Sequence, residues 1–342
     1  MHIVITGGAG FLGVRLARAL LARATLALVG DAPRPLTRLT LVDRIAPPAA
    51  LAQDARVHVV TGDLDELLVP DAGGHTRAVP PDADAVVHLA AAVSGECEAD
   101  FDLGLRANLD ATRALLLACR ALGTRPVFVF SSSLAVFGHT PEQPMPPIIE
   151  DDTLPTPQNS YGTQKFMCEL LVADCTRKGF VRGRNVRLMT VSVRPGRPNA
   201  AASSFLSGIV REPLAGERAT CPVPPDTKVA LSSPARTIEG LIRALEASDA
   251  DWGPRSALNL PALSTTAGEM VAALARVAGP EVAARVDWVP DASIARIVGA
   301  WPAGMNARRA ARLGLRADAS FDDIIRDHLR ENPVPPAAAA RP

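Results

Sequence analysis

Short apolar runs and longer helical segments alternate along the first half of the chain. The runs lie at 2–5, 39–43, 57–60, 85–90 and 126–131, and a helix is predicted over 108–122. Runs that are apolar throughout are typical of strands buried on both faces, as in a parallel sheet covered by helices. The pattern therefore predicts an α/β domain over the first half.

The second half continues with a strand at 186–193 and then changes character. Helices are predicted at 200–219 and 265–275, and a strand followed by a helix at 228–242. We expect a larger unit made of 1–193 with 226–262, and a smaller C-terminal substrate-binding lobe made of 194–225 with 263–332. Proline and alanine dominate 333–342, which predicts a disordered tail.

Composition narrows the class of protein. The 36 basic and 36 acidic residues cancel and form no long run of like charge, so neither nucleic acid nor an anionic membrane is an expected partner. Arginines interrupt the apolar start of the chain, which reads neither as a signal peptide nor as a membrane span. The five cysteines lack the spacing of zinc ligands or of a disulfide scaffold, so we expect no metal and a cytoplasmic protein with reduced thiols.

A glycine-rich loop, Thr-Gly-Gly-Ala-Gly-Phe-Leu-Gly at 6–13, joins the first strand to a strong helix-forming segment. Alone, such a loop is also an ordinary structural turn. Between a strand and a helix it provides a tight turn at Gly7, close approach to a pyrophosphate at Gly10 and close helix packing at Gly13. The anion would lie at the helix N-terminus. The sequence therefore predicts a doubly wound (Rossmann) parallel sheet that binds a dinucleotide.

Two acidic residues bear on which dinucleotide is bound. Asp43 ends the second strand, where a carboxylate accepts hydrogen bonds from the adenosine ribose and repels a 2′-phosphate. This favours NAD over NADP, although Asp43 lies farther from Gly13 than is usual and Arg44 beside it would partly accommodate NADP. Asp63 follows the third strand and is either a turn residue or, as we expect, an adenine contact.

The only tyrosine, Tyr161, stands four residues before Lys165, one of three lysines. Residues at this spacing share a helix face, and a nearby positive charge lowers the pKa of a phenol. By itself the pair is equally an ordinary surface pair. However, hydroxyls at Ser131, Ser132 and Ser133 end a strand at the sheet edge where doubly wound folds bind ligands. The combination predicts a nicotinamide pocket.

These features resemble, in order and spacing over roughly the first 200 residues, the extended short-chain dehydrogenase/reductase family, which includes NAD-dependent epimerases and dehydratases. The matching segments are 6–13, Asp43, Asp63-Leu64, His-Leu-Ala-Ala at 88–91, Asn108, Ser-Ser-Ser-Leu-Ala-Val-Phe-Gly at 131–138, and Pro157-x-x-x-Tyr161-x-x-x-Lys165.

The resemblance implies a role for each matching residue. Tyr161 would be the general base, Lys165 would bind the nicotinamide ribose and lower the pKa of the tyrosine, and Ser133 would hydrogen-bond the substrate oxygen. Ser131 is the next candidate for that hydroxyl. Asn108 would either cap a helix or hold the backbone near the lysine. The residues implied to bind the cofactor are Gly7, Gly10, Phe11, Leu12, Gly13, Asp43, Asp63, Leu64, Ala90, Ala91, Asn108, Ser131, Tyr161, Lys165 and Pro195. A homodimer formed through helices near 101–121 and 160–179 is implied as well.

The loop after the strand at 186–193 would face the substrate. There Pro195 would contact the nicotinamide ring, while Arg197 and Asn199 would face the substrate. The Arg197 guanidinium would form a bidentate pair with a substrate carboxylate. A solvated arginine is the alternative in a chain with 33 arginines. The family's usual Arg-Asp pair is replaced by Val229 and Ala230, which argues against a nucleotide-sugar diphosphate.

Three functions remain to be distinguished. The favoured one is the NAD-dependent oxidation of a short sugar acid, and the second is that of a nucleotide-sugar epimerase or dehydratase. A non-catalytic NAD sensor on the same fold is the third, since a fold does not fix a function. The presence of Ser133, Tyr161 and Lys165 together disfavours the sensor.

Overall fold

The computed structural model describes residues 1–196 and 201–333. Its strands are β1 (His2–Thr6), β2 (Arg38–Asp43), β3 (Val57–Thr61), β4 (Ala85–His88), β5 (Val127–Ser133), β6 (Ile149–Glu150), β7 (Arg182–Leu188), β8 (Thr190–Val191), β9 (Ala219–Cys221), β10 (Lys228–Ser232), β11 (Leu258–Asn259), β12 (Leu263–Thr266), β13 (Val286–Trp288) and β14 (Met305–Asn306). Seven of these form one parallel sheet, in the order β3-β2-β1-β4-β5-β7-β11. The predicted doubly wound fold is confirmed.

Helices cover both faces of this sheet. In the described residues they are α1 (Phe11–Leu21), α2 (Ala49–Ala52), α3 (Leu64–Leu67), α4 (Ser94–Ala99), α5 (Phe101–Gly104), α6 (Ala111–Ala121), α7 (Ser160–Arg177), α8 (Phe205–Leu214), α9 (Pro234–Glu246), α10 (Asp249–Trp252), α11 (Ala267–Ala278), α12 (Pro280–Ala283), α13 (Ala292–Gly299), α14 (Arg308–Arg312) and α15 (Phe321–Glu331).

Strand β1 shows why its run is apolar throughout. Successive side chains of a strand point to opposite faces. Ile3 and Ile5 join the core that includes α1 and α9, while Val4 joins the core that includes α6 and α7. Since both faces are covered, each position of the strand is buried.

The order of the strands reverses direction at β1. From β1 the chain continues to β2 and β3 on one side, and then returns to β4 on the other. Ligands of open α/β sheets bind in the crevice at such a switch point, outside the carboxyl ends of the strands. The glycine loop after β1 and the ends of β4 and β5 all meet there.

A third core lies in the C-terminal part of the chain. It joins helices α8, α11 and α15 with the small sheets β12-β10-β8 and β13-β9. The segment around β14 and α14 returns to the first core, where Ala310 and Leu315 are buried. The division of the chain into two units stays a prediction.

One local prediction is wrong, and one of two alternatives is excluded. The single strand expected at 186–193 is two strands, because β7 pairs within the large sheet whereas β8 pairs with β10. The chain changes sheets at Met189, which is buried at that point. Asn108 does not cap a helix, since it lies inside the π-helical segment Leu105–Asp110 that runs directly into α6.

Two general properties accompany the fold. Among the helices of the described ranges, none combines the length and the apolarity needed to cross a membrane. All five cysteines are free thiols, and four of them are buried. The cytoplasmic location expected from the sequence stays a prediction.

Candidate active site

A cavity of about 440 Å³ opens at the switch point of the sheet. One end is formed by the glycine loop and the start of α1. The middle is formed by the ends of β4 and β5 together with Tyr161 and Lys165, and the far end by 188–195, the start of α8 and Trp301. The predicted residues Ser131, Ser133 and Pro195 also line it. The cavity therefore joins the predicted nucleotide loop to the predicted hydroxyl, phenol and ammonium groups.

The glycine loop is tightly packed against its own backbone. Gly7 has a φ of 69°, and a Cβ there would lie 2.8 Å from the amide nitrogen of Ala90. A Cβ at Gly13 would lie 2.1 Å from the carbonyl oxygen of Gly7. A Cβ at Gly10 would lie 3.2 Å from the carbonyl oxygen of Gly7, which is a tight contact, and Gly10 lines the cavity. These are the three properties that a pyrophosphate cradle requires.

The N-terminus of α1 completes this cradle. Gly10 caps the helix in an extended conformation, no side chain bonds to the cap, and the first turn has no acidic residue. The first amides of the helix and its dipole therefore favour an anion. Phe11 and Leu12 line the cavity beside them. The residues present fit the diphosphate of a dinucleotide.

The two acidic residues predicted to select the nucleotide lie at the same edge of the sheet. Asp43 Oδ2 accepts a hydrogen bond from the Ala9 amide at 2.9 Å, which holds the carboxylate beside the glycine loop. Asp63 caps α3 by accepting from the Asp65 amide at 3.2 Å, and it pairs with Arg44 at 3.2 Å. Asp63 is thus a turn residue, and its contact with adenine, like that of Leu64, stays a prediction.

Tyr161 reaches the strand end because of its neighbours in sequence. Asn159 caps α7 by accepting from the Gly162 amide at 2.7 Å. A Cβ at Gly162 would lie 2.0 Å from the carbonyl oxygen of Ala135, so only glycine lets the helix approach so closely. The phenol is thereby brought within hydrogen-bond reach of Ser133. Lys165, one turn further along, donates to the carbonyl oxygen of Ser131 at 2.8 Å.

The three serines at the end of β5 have different partners. Ser131 Oγ donates to the carbonyl oxygen of His88 at 2.8 Å. Ser132 Oγ donates to Glu169, which forms a buried bidentate ion pair with Arg187 at 2.7 and 2.8 Å. Ser133 is the hydroxyl that meets the phenol. The geometry therefore favours Ser133 over its neighbours.

The pKa values in the cavity differ from the expectation. Burial raises the pKa of Tyr161 to about 12, opposed by the hydrogen bond with Ser133 and by the positive charge of Arg194. Burial lowers the pKa of Lys165 to about 8. In this structure burial outweighs every lowering effect, and the charge of Arg194 acts on the phenol. Lys165 Nζ lies 5.6 Å from the centre of the Tyr161 ring, and its predicted role in lowering the pKa of the tyrosine stays a prediction.

Asn108 lies behind the cavity wall. Its side chain accepts from the Ala92 amide at 2.9 Å and donates to Gln164 at 2.8 Å and to the Ala92 carbonyl oxygen at 3.3 Å. It therefore ties the segment after β4 to α7, next to Lys165. This matches the backbone-holding role, and a direct contact between Asn108 and the cofactor stays a prediction.

Sequence reasoning missed three residues at the far end of the cavity, Arg194, Arg211 and Trp301. Arg194 stands in the loop that the sequence singled out, but nothing separates it there from the other arginines. Arg211 and Trp301 come from α8 and from the segment after α13, far apart in sequence. The predicted substrate contacts Arg197 and Asn199 lie outside the described residues.

Comparisons with known proteins agree with this geometry. The D-erythronate dehydrogenase of Cupriavidus necator is 53% identical over 97% of this chain and 98% of its own length. The D-erythronate dehydrogenase of Haemophilus influenzae is 41% identical over 96% of this chain and 99% of its own length. A solved structure of a nucleoside-diphosphate-sugar epimerase from Agrobacterium tumefaciens superposes with a TM-score of 0.85 at 39% identity, covering 97% of this chain and 94% of that chain. Since the model of the NAD dependent epimerase/dehydratase family matches residues 3–230, from β1 through the cavity to β10, the chain belongs to that family.

Proposed function

We propose that this protein oxidises D-erythronate to 2-dehydro-D-erythronate (2-oxo-tetronate), with NAD as the hydride acceptor. The observation that carries the proposal is the meeting of Ser133, Tyr161 and Lys165 in the cavity that begins at the glycine loop. Two D-erythronate dehydrogenases resemble the chain over nearly its whole length, which supports the choice of substrate.

The chain's own residues account for the proton transfer. Tyr161 takes the proton of the substrate hydroxyl, and the hydrogen bond from Ser133 orients that hydroxyl and stabilises the charge that develops on its oxygen. Lys165 donates to the Ser131 carbonyl and would bind the ribose hydroxyls of the nicotinamide nucleotide. The oxidised cofactor, when bound, supplies the acceptor for the hydride and a positive ring beside the phenol.

The preference for NAD over NADP rests on Asp43. Its carboxylate is fixed beside the glycine loop by the Ala9 amide, where a ribose 2′-hydroxyl would donate to it and a 2′-phosphate would be repelled. Arg44, the residue that would favour NADP, is paired with Asp63. The local charge pattern therefore supports NAD.

The second candidate, a nucleotide-sugar epimerase, is motivated by the name of the Agrobacterium tumefaciens structure. Such an enzyme must hold a diphosphate, whose two charges call for a cationic clamp. The positions at which the family's Arg-Asp pair is expected are Val229 and Ala230, and both side chains are buried and apolar. We therefore favour the small acid.

A panel of C3 to C6 sugar acids, assayed with NAD and with NADP at alkaline pH, tests the function. We expect the highest kcat/KM with D-erythronate and NAD. Retention of NAD through purification, together with interconversion of UDP-sugars and no net NADH, would favour the epimerase instead. A protein that binds NADH but turns over neither substrate class would support the sensor.

We also propose the homodimer expected from the sequence. Phe101, Leu117 and Leu170 are apolar side chains on α5, α6 and α7 that are 52–60% exposed. Leu117→Arg combined with Leu170→Arg should give a monomer by sedimentation, whereas Leu154→Arg, at an exposed position outside these helices, should not. A monomeric wild type at micromolar concentration would contradict the proposal.

A further inference from the structure

Arg184 and Arg187, the two fully buried arginines of the described residues, are each paired with an acid. Arg184 forms an ion pair with Asp249, and Arg187 forms the bidentate pair with Glu169. Pairing is the general rule because an isolated charge loses its hydration when it is buried. An exception therefore needs a physical reason.

Arg194 is such an exception. It lines the cavity and is partly buried, and burial lowers its pKa. Within the described ranges its guanidinium makes one hydrogen bond, from Nη2 to Ser203 Oγ at 3.5 Å, and no ion pair. The neighbouring Arg211 is paired with Glu212, and its Nη1 donates to the backbone carbonyl of Arg194 at 2.8 Å. The charge of Arg211 is thus compensated locally, whereas no acidic partner of Arg194 lies in 1–196 or 201–333.

A second unsatisfied donor lies at the same end of the cavity. The indole Nε1 of Trp301 is buried and has no hydrogen-bond partner in the described part of the chain, and Trp301 lines the cavity together with Arg194. A buried N–H without an acceptor costs about 1–3 kcal/mol. Within the described residues, a guanidinium without an acidic partner at this end of the cavity favours an anionic, oxygen-rich ligand.

We propose that Arg194 binds the carboxylate of the substrate and is the residue that makes the enzyme specific for acids. The proposal rests on the proposed function, which supplies a four-carbon acid as the ligand. The planar guanidinium offers two parallel N–H donors that match a carboxylate. Trp301 lines the same end of the cavity.

This placement also determines which hydroxyl reacts. Arg194 and Tyr161 line the same cavity, and the charge of the guanidinium acts on the phenol. A carboxylate held at Arg194 therefore places the hydroxyl of the adjacent carbon, C2, nearest to Tyr161. Oxidation at C2 gives a 2-oxo acid, with the proton on Tyr161 and the hydride on the nicotinamide.

The test is Arg194→Gln, studied with D-erythronate and with the uncharged polyol erythritol. We expect kcat/KM for D-erythronate to fall on the order of 100-fold, mainly through KM, because a charge-assisted bidentate contact is lost. The Kd of NADH should change little, and the rate with erythritol should fall far less than that with D-erythronate, only through the effect of Arg194 on the pKa of Tyr161. Arg194→Lys keeps the positive charge but not the two parallel N–H donors, so its kcat/KM for D-erythronate should lie between those of the wild type and Arg194→Gln. Millimolar guanidinium should restore part of the activity of Arg194→Ala, which a purely structural role would not allow.

Matched variants make the outcome decisive. Arg218→Gln removes an exposed arginine that pairs with Asp287 on the protein surface, and it should match the wild type. Arg197→Gln tests the residue that the sequence favoured. Wild-type kinetics in Arg194→Gln, or a loss confined to Arg197→Gln, would overturn the proposal. If Arg194→Gln does not fold, Arg194→Lys must show the intermediate loss. A wild type inactive with D-erythronate would instead refute the proposed function.

Discussion

The two ends of the cavity are built in different ways. The nucleotide end consists mainly of backbone, and its three glycines fall within a seven-residue segment from Gly7 to Gly13. The substrate end consists of side chains from separate elements, with Arg194 after β8, Arg211 on α8 and Trp301 after α13. A site made of local backbone requires particular residue types at fixed spacing, and that spacing can be recognised in the sequence. A site made of side chains brought together by tertiary folding has no such spacing.

Tyr161 lies where the two ends meet, and its loss should have the largest effect. Tyr161→Phe removes the base without changing the shape of either end. We expect kcat with D-erythronate to fall at least about 1,000-fold, because positioned proton transfer contributes on the order of 10²–10⁴. The Kd values of NADH and D-erythronate should stay within a few-fold of the wild type. Substantial turnover by Tyr161→Phe would assign the base elsewhere.

Substitutions at Gly13 and Gly10 of the glycine loop should differ in their effects on stability and on NADH binding. In Gly13→Ala the new Cβ would lie 2.1 Å from a backbone oxygen, so we expect destabilisation of about 3 kcal/mol together with loss of NADH binding. In Gly10→Ala the closest atom would be 3.2 Å away, which is a tight contact but a much longer one, so the loss of thermal stability should be smaller while NADH binding weakens. Urea unfolding and NADH fluorescence measure the two quantities. Equal effects on stability would contradict the assigned roles.

Asp43 should control the preference for NAD over NADP without affecting the binding of the sugar acid. Asp43→Asn removes the negative charge and keeps the shape of the side chain, so the ratio of kcat/KM for NADP to that for NAD should rise about tenfold. The KM for D-erythronate should not change. An unaltered ratio would mean that the 2′-position is read by another group.

The sequence predicts the nucleotide end far better than the substrate end, for a physical reason. The tight turn at Gly7 and the helix approach at Gly162 each require a residue type that is visible in the sequence. Arg194 becomes informative only when its neighbours are known, because the lack of an acidic partner for it among the described residues is a property of packing. The sheet change at Met189 was missed likewise, since an uninterrupted apolar run does not show which strand it pairs with.

The pH profile should show the smallest effect. The base must be deprotonated to act, and burial raises the pKa of Tyr161, so kcat/KM for oxidation should rise with pH through the neutral and mildly alkaline range. The charge of Arg194 lowers that pKa, so Arg194→Gln should move the rising limb upward by about half a pH unit. A downward shift of the rising limb would contradict the electrostatic interaction between Arg194 and Tyr161.

D-erythronate deuterated at C2 tests whether the hydrogen at C2 is the one transferred to NAD. The protein is incubated with this substrate and NAD, and the mass of the reduced nucleotide is determined. We predict that one deuterium is transferred to the nicotinamide, with 2-dehydro-D-erythronate as the other product. Reduced nucleotide without deuterium would place the oxidation at another carbon, and the absence of reduced nucleotide would contradict the assigned function.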